Sequence, residues 1–310
     1  MAELLRHLSA RDLAPAPRGG EAWNVIEQPS QSFWWDAWRR LRQNRMAMAG
    51  LVTIVILAAA AVFGPALSPY TYDYQQLDLH DQPPSAAHWF GTDMLGRDLF
   101  TRVLFGARIS LAVGILASLV ALGIGVIYGA VAGFYGGQVD NVMMRIVDVI
   151  YGLPFLLYVI LLMVVLGPGL QNVFLALGAV YWTGMARIVR AEILSLKERE
   201  FVMAARTLGV PPRRLLLRHL IPNAVGPIIV TLTLLVPEAI FSEAFLSYLG
   251  LGVRAPIASW GVLVADGYKA IRAAPWEVIF PALFISITML AFGFLGDGLR
   301  DALDPRMRNR

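Results

Sequence analysis

The sequence contains no cysteine, so disulfide frameworks and thiolate chemistry are excluded. Charged residues make up only 15% of the chain and hydrophobic residues 57%, against about 25% charged in an ordinary soluble domain. Lysine is nearly missing, since Lys197 and Lys269 are the only two. Neither stands between a glycine and a serine or threonine, so ATP binding by a P-loop is excluded. A water-soluble fold would have no place for so much apolar surface, which favours an integral membrane protein.

Long apolar runs predict the number of membrane crossings. A helix needs about 20 apolar residues to cross roughly 30 Å of hydrocarbon, and six segments qualify. We expect the spans at about 46–67, within 109–139, two within 149–186 divided at 167–169, at about 224–246 and at about 278–296. The first 45 residues show no apolar core followed by a cleavage site, so we expect the first span to stay as an anchor. The predicted fold class is an all-α membrane protein with six transmembrane helices.

The arginines predict the orientation, because loops rich in arginine and lysine stay on the cytoplasmic side. They concentrate before the first span, between the fourth and fifth spans and at the C-terminus, which places both termini in the cytoplasm. The expected organisation is a cytoplasmic tail at 1–45, a first helix at 46–67, an extracytoplasmic segment at 68–104, a transmembrane domain at 105–299 with a second extracytoplasmic segment at 247–277, and a cytoplasmic tail at 300–310.

The polar connection between the fourth and fifth spans predicts two short helices. The first is expected to end at Gly209, because glycine is the usual residue just past a helix C-terminus. Pro211 and Pro212 suit the first turn of a second helix, which we expect to end before Pro222. Ala205 lies one turn before Gly209 on the same face, where small side chains let another surface approach. Such a projection either docks into a soluble partner or merely links two spans.

Three groups in this connection stand at a recognisable spacing: Met203-Ala-Ala205, Gly209 and His219-Leu-Ile-Pro222. The stretch 191–222 resembles the EAA loop of permease subunits in ATP-binding-cassette importers, with methionine in place of the first glutamate and histidine in place of an isoleucine. The residues that the resemblance implies in coupling to an ATPase are Phe201, Met203, Ala204, Ala205, Arg206, Gly209, Arg213, His219 and Pro222.

Further segments narrow the resemblance. Residues 34–45, 88–98 with 106–110, and 243–252 with 259–261 and 296–305 are similar to the C-type subunit of dipeptide and oligopeptide permeases. This resemblance implies the type I importer permease fold in a bacterial inner membrane. It also implies a homologous B-type permease subunit, two ATP-binding subunits and an extracytoplasmic peptide-binding protein as partners. ATP and Mg²⁺ would be bound by the ATPase subunits, and no cofactor, metal or nucleic acid by this chain.

Several charged residues need an explanation in a membrane protein. Glu238 and Glu243 fall in the outer half of the fifth span, where they either face the pathway or a second subunit, or end the helix in outer-leaflet water. A polar stretch in the first extracytoplasmic segment either contacts the binding protein or packs structurally. Its candidate residues are Thr92, Asp93, Arg97 and Asp98.

Other functions remain as alternatives. Related permeases carry nickel chelates or glutathione, so the cargo is open, with short peptides the leading hypothesis. An ion-coupled carrier would need ionisable residues near span centres and inverted repeats. An intramembrane enzyme would need a nucleophile with its base or a metal cluster within the bilayer. The sequence favours the importer permease over both, since most span centres are uncharged and none of these motifs is found.

Overall fold

The computed structural model describes residues 33–167, 169–253 and 256–304, and most of these residues lie in helices. By internal contacts the chain divides after Asp36, and only the first four described residues precede that division. The helices are α1 Phe33–Gln43, α2 Arg45–Leu67, α3 Leu99–Tyr135, α4 Gly137–Tyr151, α5 Phe155–Leu166, α6 Leu170–Lys197, α7 Glu200–Thr207, α8 Pro212–Leu215, α9 Ile221–Asn223, α10 Val225–Tyr248, α11 Trp260–Gly267 and α12 Trp276–Leu303. Short 3₁₀ turns lie at Leu77–Leu79 and Tyr268–Ala270.

Among the described residues, five helices are long and apolar enough to cross a membrane: α2, α3, α6, α10 and α12. A sixth crossing exists only if α4 and α5 count together, and these two helices are bent by 88° at the break between them. The all-helical prediction with about six apolar segments is confirmed. The expected third span is wrong as a single straight helix, because Gly152 and Pro154 break it and leave α5 with 12 residues. At 1.5 Å per residue, α5 covers only about 18 Å.

Glycines let α3 and α6 pack closely. A Cβ at Gly125 would lie 2.6 Å from the Cβ of Met185, and one at Gly133 would lie 2.8 Å from the carbonyl oxygen of Arg190. Gly129, between them, faces the backbone of α6 just as closely. The stripe of Gly125, Gly129 and Gly133 therefore lets the two helices approach closely. Gly123 faces open space, because it lies two residues, and so about half a turn, away from that stripe.

Basic side chains of α6 hold the ends of α3 and α4. Arg190 donates to both carboxylate oxygens of Asp140 on α4, each at 2.5 Å. Lys197 donates to the carbonyl oxygens of Gly133 at 3.4 Å and Phe134 at 3.0 Å, which lie in the last turn of α3. The last four carbonyls of a helix have no intrahelical partner, so Lys197 satisfies groups that would otherwise lack one. The end of α6 is thus fixed to two neighbouring helices.

Candidate functional site

The connecting loop, residues 198–224 between α6 and α10, begins with α7 and a sharp turn. Gly209 has φ +76, in the left-handed region that glycine adopts most easily. Its N–H donates to the carbonyl of Arg206 at 2.9 Å, and the N–H of Val210 donates to the carbonyl of Ala205 at 3.1 Å. This pair of bonds is a Schellman motif, so the helix end expected at Gly209 is confirmed.

The two faces of α7 have different environments. Val202 and Ala205 are buried in the same apolar core as Ile193 of α6. The exposed residues of α7 and its turn are Glu200, Phe201, Met203, Ala204, Arg206, Thr207, Leu208 and Gly209. The expectation that Ala205 and Gly209 share a face open to a partner is wrong, because the three-residue spacing of Val202 and Ala205 turns the alanine inward. Ala204 is the small residue on the open side.

The second helix of the connecting loop does not end before Pro222. α8 continues through a π turn over Leu216–Leu220 into α9, which contains Pro222. In this turn the N–H of Ile221 donates to the carbonyl of Leu216, five residues earlier. In a regular α-helix a proline ring collides with the carbonyl four residues before it. The wider π turn lets the helix pass the proline, which is why the predicted end is wrong.

An open groove of about 670 Å³ lies along the second helix. It is lined by Pro211, Arg213, Arg214, Leu217 and Arg218. No acidic side chain lines it, so the groove has a positive potential that suits carboxylates. The predicted residue Arg213 is exposed here, whereas His219 is half-buried and Pro222 is exposed.

Sequence reasoning missed Leu208, which is 83% exposed at the turn after α7. Leu217 on the second helix is 52% exposed. They add to the exposed apolar side chains Phe201 and Met203 of α7, and contiguous exposed apolar surface marks interaction sites. The sequence did contain a signal: Leu208 stands directly before the turn residue Gly209 and does not share the buried helix face of Val202 and Ala205.

The polar residues predicted between α2 and α3 come together, but inside the protein. Asp93 accepts a hydrogen bond from Nε of Arg97 at 2.8 Å and a second from Arg102, while Thr92 donates to the carbonyl of Leu79. Arg102, at the start of α3, is 2% exposed and was not among the predicted residues. The role of Arg102 depends on its contact with Asp93, nine residues earlier in the chain. Patterns of neighbouring residues do not reveal such a contact.

Asp98 caps the start of α3. Its Oδ2 accepts hydrogen bonds from the N–H and the hydroxyl of Thr101 at 2.8 and 2.6 Å, and Nδ1 of His88 lies 2.9 Å from its Oδ1. Thr92, Asp93, Arg97 and Asp98 are each at most 8% exposed. These side chains hold the residue 68–98 segment onto α3, and their contact with a binding protein stays a prediction.

Glu243 of α10 is fully buried and joins three parts of the chain. Its Oε1 accepts hydrogen bonds from the hydroxyls of Ser247 at 2.7 Å and Ser259 at 2.6 Å. Ser259 also caps α11, and the neighbouring Trp260 N–H donates to Ser110 of α3 at 3.0 Å. Within this chain Glu243 therefore lies neither on an open face nor in outer-leaflet water. Its carboxylate sits in a serine cage that connects α10 to the start of α11.

Glu238, five residues earlier on α10, has the opposite environment. Its side chain is exposed, and no basic side chain of the described residues forms an ion pair with it. The hydroxyl of Tyr181 on α6 donates to the backbone carbonyl of Glu238 at 3.3 Å and lies 2.7 Å from the hydroxyl of Ser242. The helix is thus fixed to α6 at this level while the carboxylate points away from the protein interior.

Glu238 belongs to an uncovered row along α10, which we name the α10 seam. The seam consists of Pro227, Thr231, Leu234, Glu238, Phe241, Phe245 and Tyr248, all exposed or half-exposed. Their spacing alternates between four and three residues, the 3.5-residue repeat that helices use when they pack lengthwise against a neighbour. The seam is therefore a continuous face, open in the isolated chain, that carries one carboxylate.

The family models identify what kind of protein carries this loop and this seam. Residues 125–309 match the model described as the binding-protein-dependent transport system inner membrane component. The chain belongs to this family. Residues 32–84 match a second model, the N-terminal transmembrane domain of oligopeptide transport permease C. The connecting loop and the α10 seam both lie within the first match, so they are parts of the permease domain.

Curated relatives of this permease are similar over nearly their whole length. The dipeptide transport system permease protein of Bacillus subtilis (strain 168) is 55% identical over 284 residues, covering 91% of this chain and 89% of that protein. The oligopeptide transport system permease protein of the same organism is 53% identical over 293 residues, covering 94% and 96%. The branch expected from the sequence is therefore confirmed.

Among solved structures, an inward-facing form of the MetNI methionine ABC transporter has a similar fold. The TM-score is 0.53 with 18% identity, and the match covers 66% of this chain and 96% of that one. At this identity the match shows the fold alone, and that fold is the ABC importer permease fold expected from the sequence. A permease of this family is the membrane-spanning transport subunit of an assembly that includes ATPase and substrate-binding subunits.

Proposed function

We propose that this chain is the C-type permease subunit of an ATP-driven importer for short peptides, and that its connecting loop transmits the motion of a partner ATPase to the pathway. One observation carries the proposal: the loop exposes apolar side chains at its tip while its base is built into the helical core. Phe201 and Met203 are 42% and 49% exposed, whereas Val202 is fully buried. A soluble partner would cover the tip, and the buried base would pass its displacement to the helices.

The helices beside the loop support this transmission. α6 ends and α10 begins at the connecting loop. α6 is fixed to α3 by the stripe of Gly125, Gly129 and Gly133 and by Lys197. Packed helices of this kind move as bodies, since close-packed interiors deform little. Rocking of such a body against a second subunit alternately opens a site to either side of the membrane, as in alternating access.

The partner ATPases would supply the nucleotide chemistry. On the proposed topology the connecting loop and both termini are cytoplasmic, the segments at 68–104 and 247–277 lie outside, and ATP with Mg²⁺ binds to the separate ATPase subunits. The α10 seam then faces a homologous B-type permease subunit across the pathway. This placement follows from Glu238, because a carboxylate in contact with lipid at mid-membrane depth is costly.

Short peptides are the proposed cargo. The two similar relatives are named for dipeptide and oligopeptide transport, at 55% and 53% identity. The extracytoplasmic binding protein is proposed to determine most of the selectivity among peptides. The permease is proposed to transport the peptides that the binding protein delivers.

The test compares exposed and buried positions of the connecting loop in the reconstituted assembly. Leu208→Ala and Ala204→Trp alter only the exposed tip, so we expect normal membrane insertion but loss of the ATPase subunits on purification and loss of peptide uptake. The matched control is Leu77→Ala, which removes a leucine that is 63% exposed in the residue 68–98 segment. Uptake and ATPase recovery that stay normal in both tip variants would contradict the proposal.

A further inference from the structure

We propose that Glu238 is a cation-binding subsite of the translocation pathway, which holds a cationic nitrogen group of the cargo during passage. The group is either the α-ammonium of a free peptide or the side chain of a lysine or arginine. The inference rests on the proposed function, because that function places the α10 seam along the pathway. On this inference the permease itself selects its cargo by charge, in addition to the selection made by the binding protein.

Glu238 lies near the middle of the membrane-spanning helix α10. It lies 13 residues after Val225 and 10 before Tyr248, the ends of α10. At 1.5 Å per residue, these separations are about 20 and about 15 Å along the helix, close to the middle of the hydrocarbon. Ionisable residues at such depths almost always face a bundle interior or a water-filled cavity and mark the path of a substrate. The seam therefore faces water or protein at this level.

Glu238 has no ion-pair partner within the described residues. In the part of the chain that the structure describes, the carboxylate–arginine pairs lie elsewhere, such as Asp93 with Arg97 in the residue 68–98 segment and Asp140 of α4 with Arg190 of α6. None reaches Glu238, whereas the buried carboxylate of Glu243, five residues later, has two serine donors on one oxygen. Glu238 has no such cage. Its carboxylate is open to a cation from outside the chain.

The neighbours on the seam suit a cation as well. Phe241 and Phe245 follow Glu238 at three and seven residues, on the same face, and are 56% and 43% exposed. Aromatic faces attract ammonium and guanidinium groups through the ring quadrupole. The bond from Tyr181 to the backbone at Glu238 fixes the height of the carboxylate, so the site is held in position before the cargo arrives. A carboxylate that is held in position beside aromatic rings is suited to binding a nitrogen cation.

The test measures uptake by the reconstituted complex, with each rate divided by the amount of loaded binding protein. Four cargoes separate the two sources of charge: Ala-Lys, Ala-norleucine, and the same two compounds with the α-amino group removed. For Glu238→Gln we expect kcat/KM to fall about tenfold, the scale of one charge-assisted hydrogen bond, only for cargo that carries the recognised group. A loss for Ala-Lys but not Ala-norleucine identifies the side chain. A loss for both, absent in the compounds without the α-amino group, identifies the α-ammonium.

Two variants serve as controls. Glu238→Asp keeps the charge and should recover part of the discrimination, while Asp78→Asn removes an exposed carboxylate of the residue 68–98 segment and should change nothing. An equal loss for all four cargoes, with less homologous subunit recovered, would mean that Glu238 pairs with that subunit and would overturn the inference. Unchanged uptake of every cargo would overturn it too. Failure of the wild-type complex to couple ATP hydrolysis to uptake would instead refute the proposed function.

Discussion

Replacing Glu243 should loosen the connection between α10 and α11. In Glu243→Ala the hydroxyls of Ser247 and Ser259 lose their acceptor inside the protein, where each had a hydrogen bond of 2.6–2.7 Å. An unsatisfied buried polar group costs about 1–3 kcal/mol, and the removed side chain leaves a cavity at a fully buried position. We expect a total loss of about 3–5 kcal/mol in the free energy of unfolding.

Glu243→Gln is the matched variant. The amide oxygen still accepts from both serines, and the amide nitrogen takes the place of Oε2, which has no hydrogen-bond partner among the described residues. We therefore expect glutamine to cost at most about 1 kcal/mol.

Labelling gives a local assay, because the chain has no cysteine of its own. Ala258 is fully buried one residue before Ser259, so a cysteine placed there should react with a maleimide only when this region opens. We expect labelling of Ala258→Cys to accelerate strongly with Glu243→Ala and little with Glu243→Gln, in parallel with thermal unfolding of the purified complex. Equal rates in the two backgrounds would refute the serine-cage reasoning.

Three further predictions concern topology, the connecting loop and helix packing. Leu208→Cys should react with an impermeant maleimide only from the cytoplasmic side and Gln75→Cys only from outside; the reverse pattern contradicts the proposed orientation. Gly209→Val should cost about 1–2 kcal/mol through its positive φ and uncouple ATP hydrolysis from uptake, while Gly209→Asn tolerates that φ and should retain the fold, as circular dichroism and turnover would show. Gly129→Val should abolish recovery of folded permease, whereas Gly123→Val, in open space, should leave it normal; equal yields would count against the α3–α6 packing.

Length and hydropathy predicted most of the fold, because a membrane-spanning helix must satisfy its own backbone and be long enough to cross. The exception is the third span. Gly152 and Pro154 are visible in the sequence, but whether they end a helix or only bend it depends on what packs around them. The 88° bend between α4 and α5 is therefore a tertiary feature.

The candidate sites were predictable to the extent that they are local. The turn at Gly209 follows from one residue and its φ, and it was predicted. The inward direction of Ala205 depends on a core shared with α6 and the second helix of the loop, and the burial of Glu243 depends on Ser259, 16 residues later. Patterns of neighbouring residues contain neither contact, so these two expectations failed while the turn was confirmed.

The ammonium of Lys197 has a consequence for how the permease would fail. It ties the last turn of α3 to the point where α6 enters the connecting loop, through carbonyl oxygens at 3.0 and 3.4 Å. A displacement of the connecting loop would therefore move α3 and α6 together. The end of α6 cannot easily unwind by itself, because Lys197 holds it to α3. On the proposed mechanism, loss of this tether would leave ATP hydrolysis running without peptide uptake.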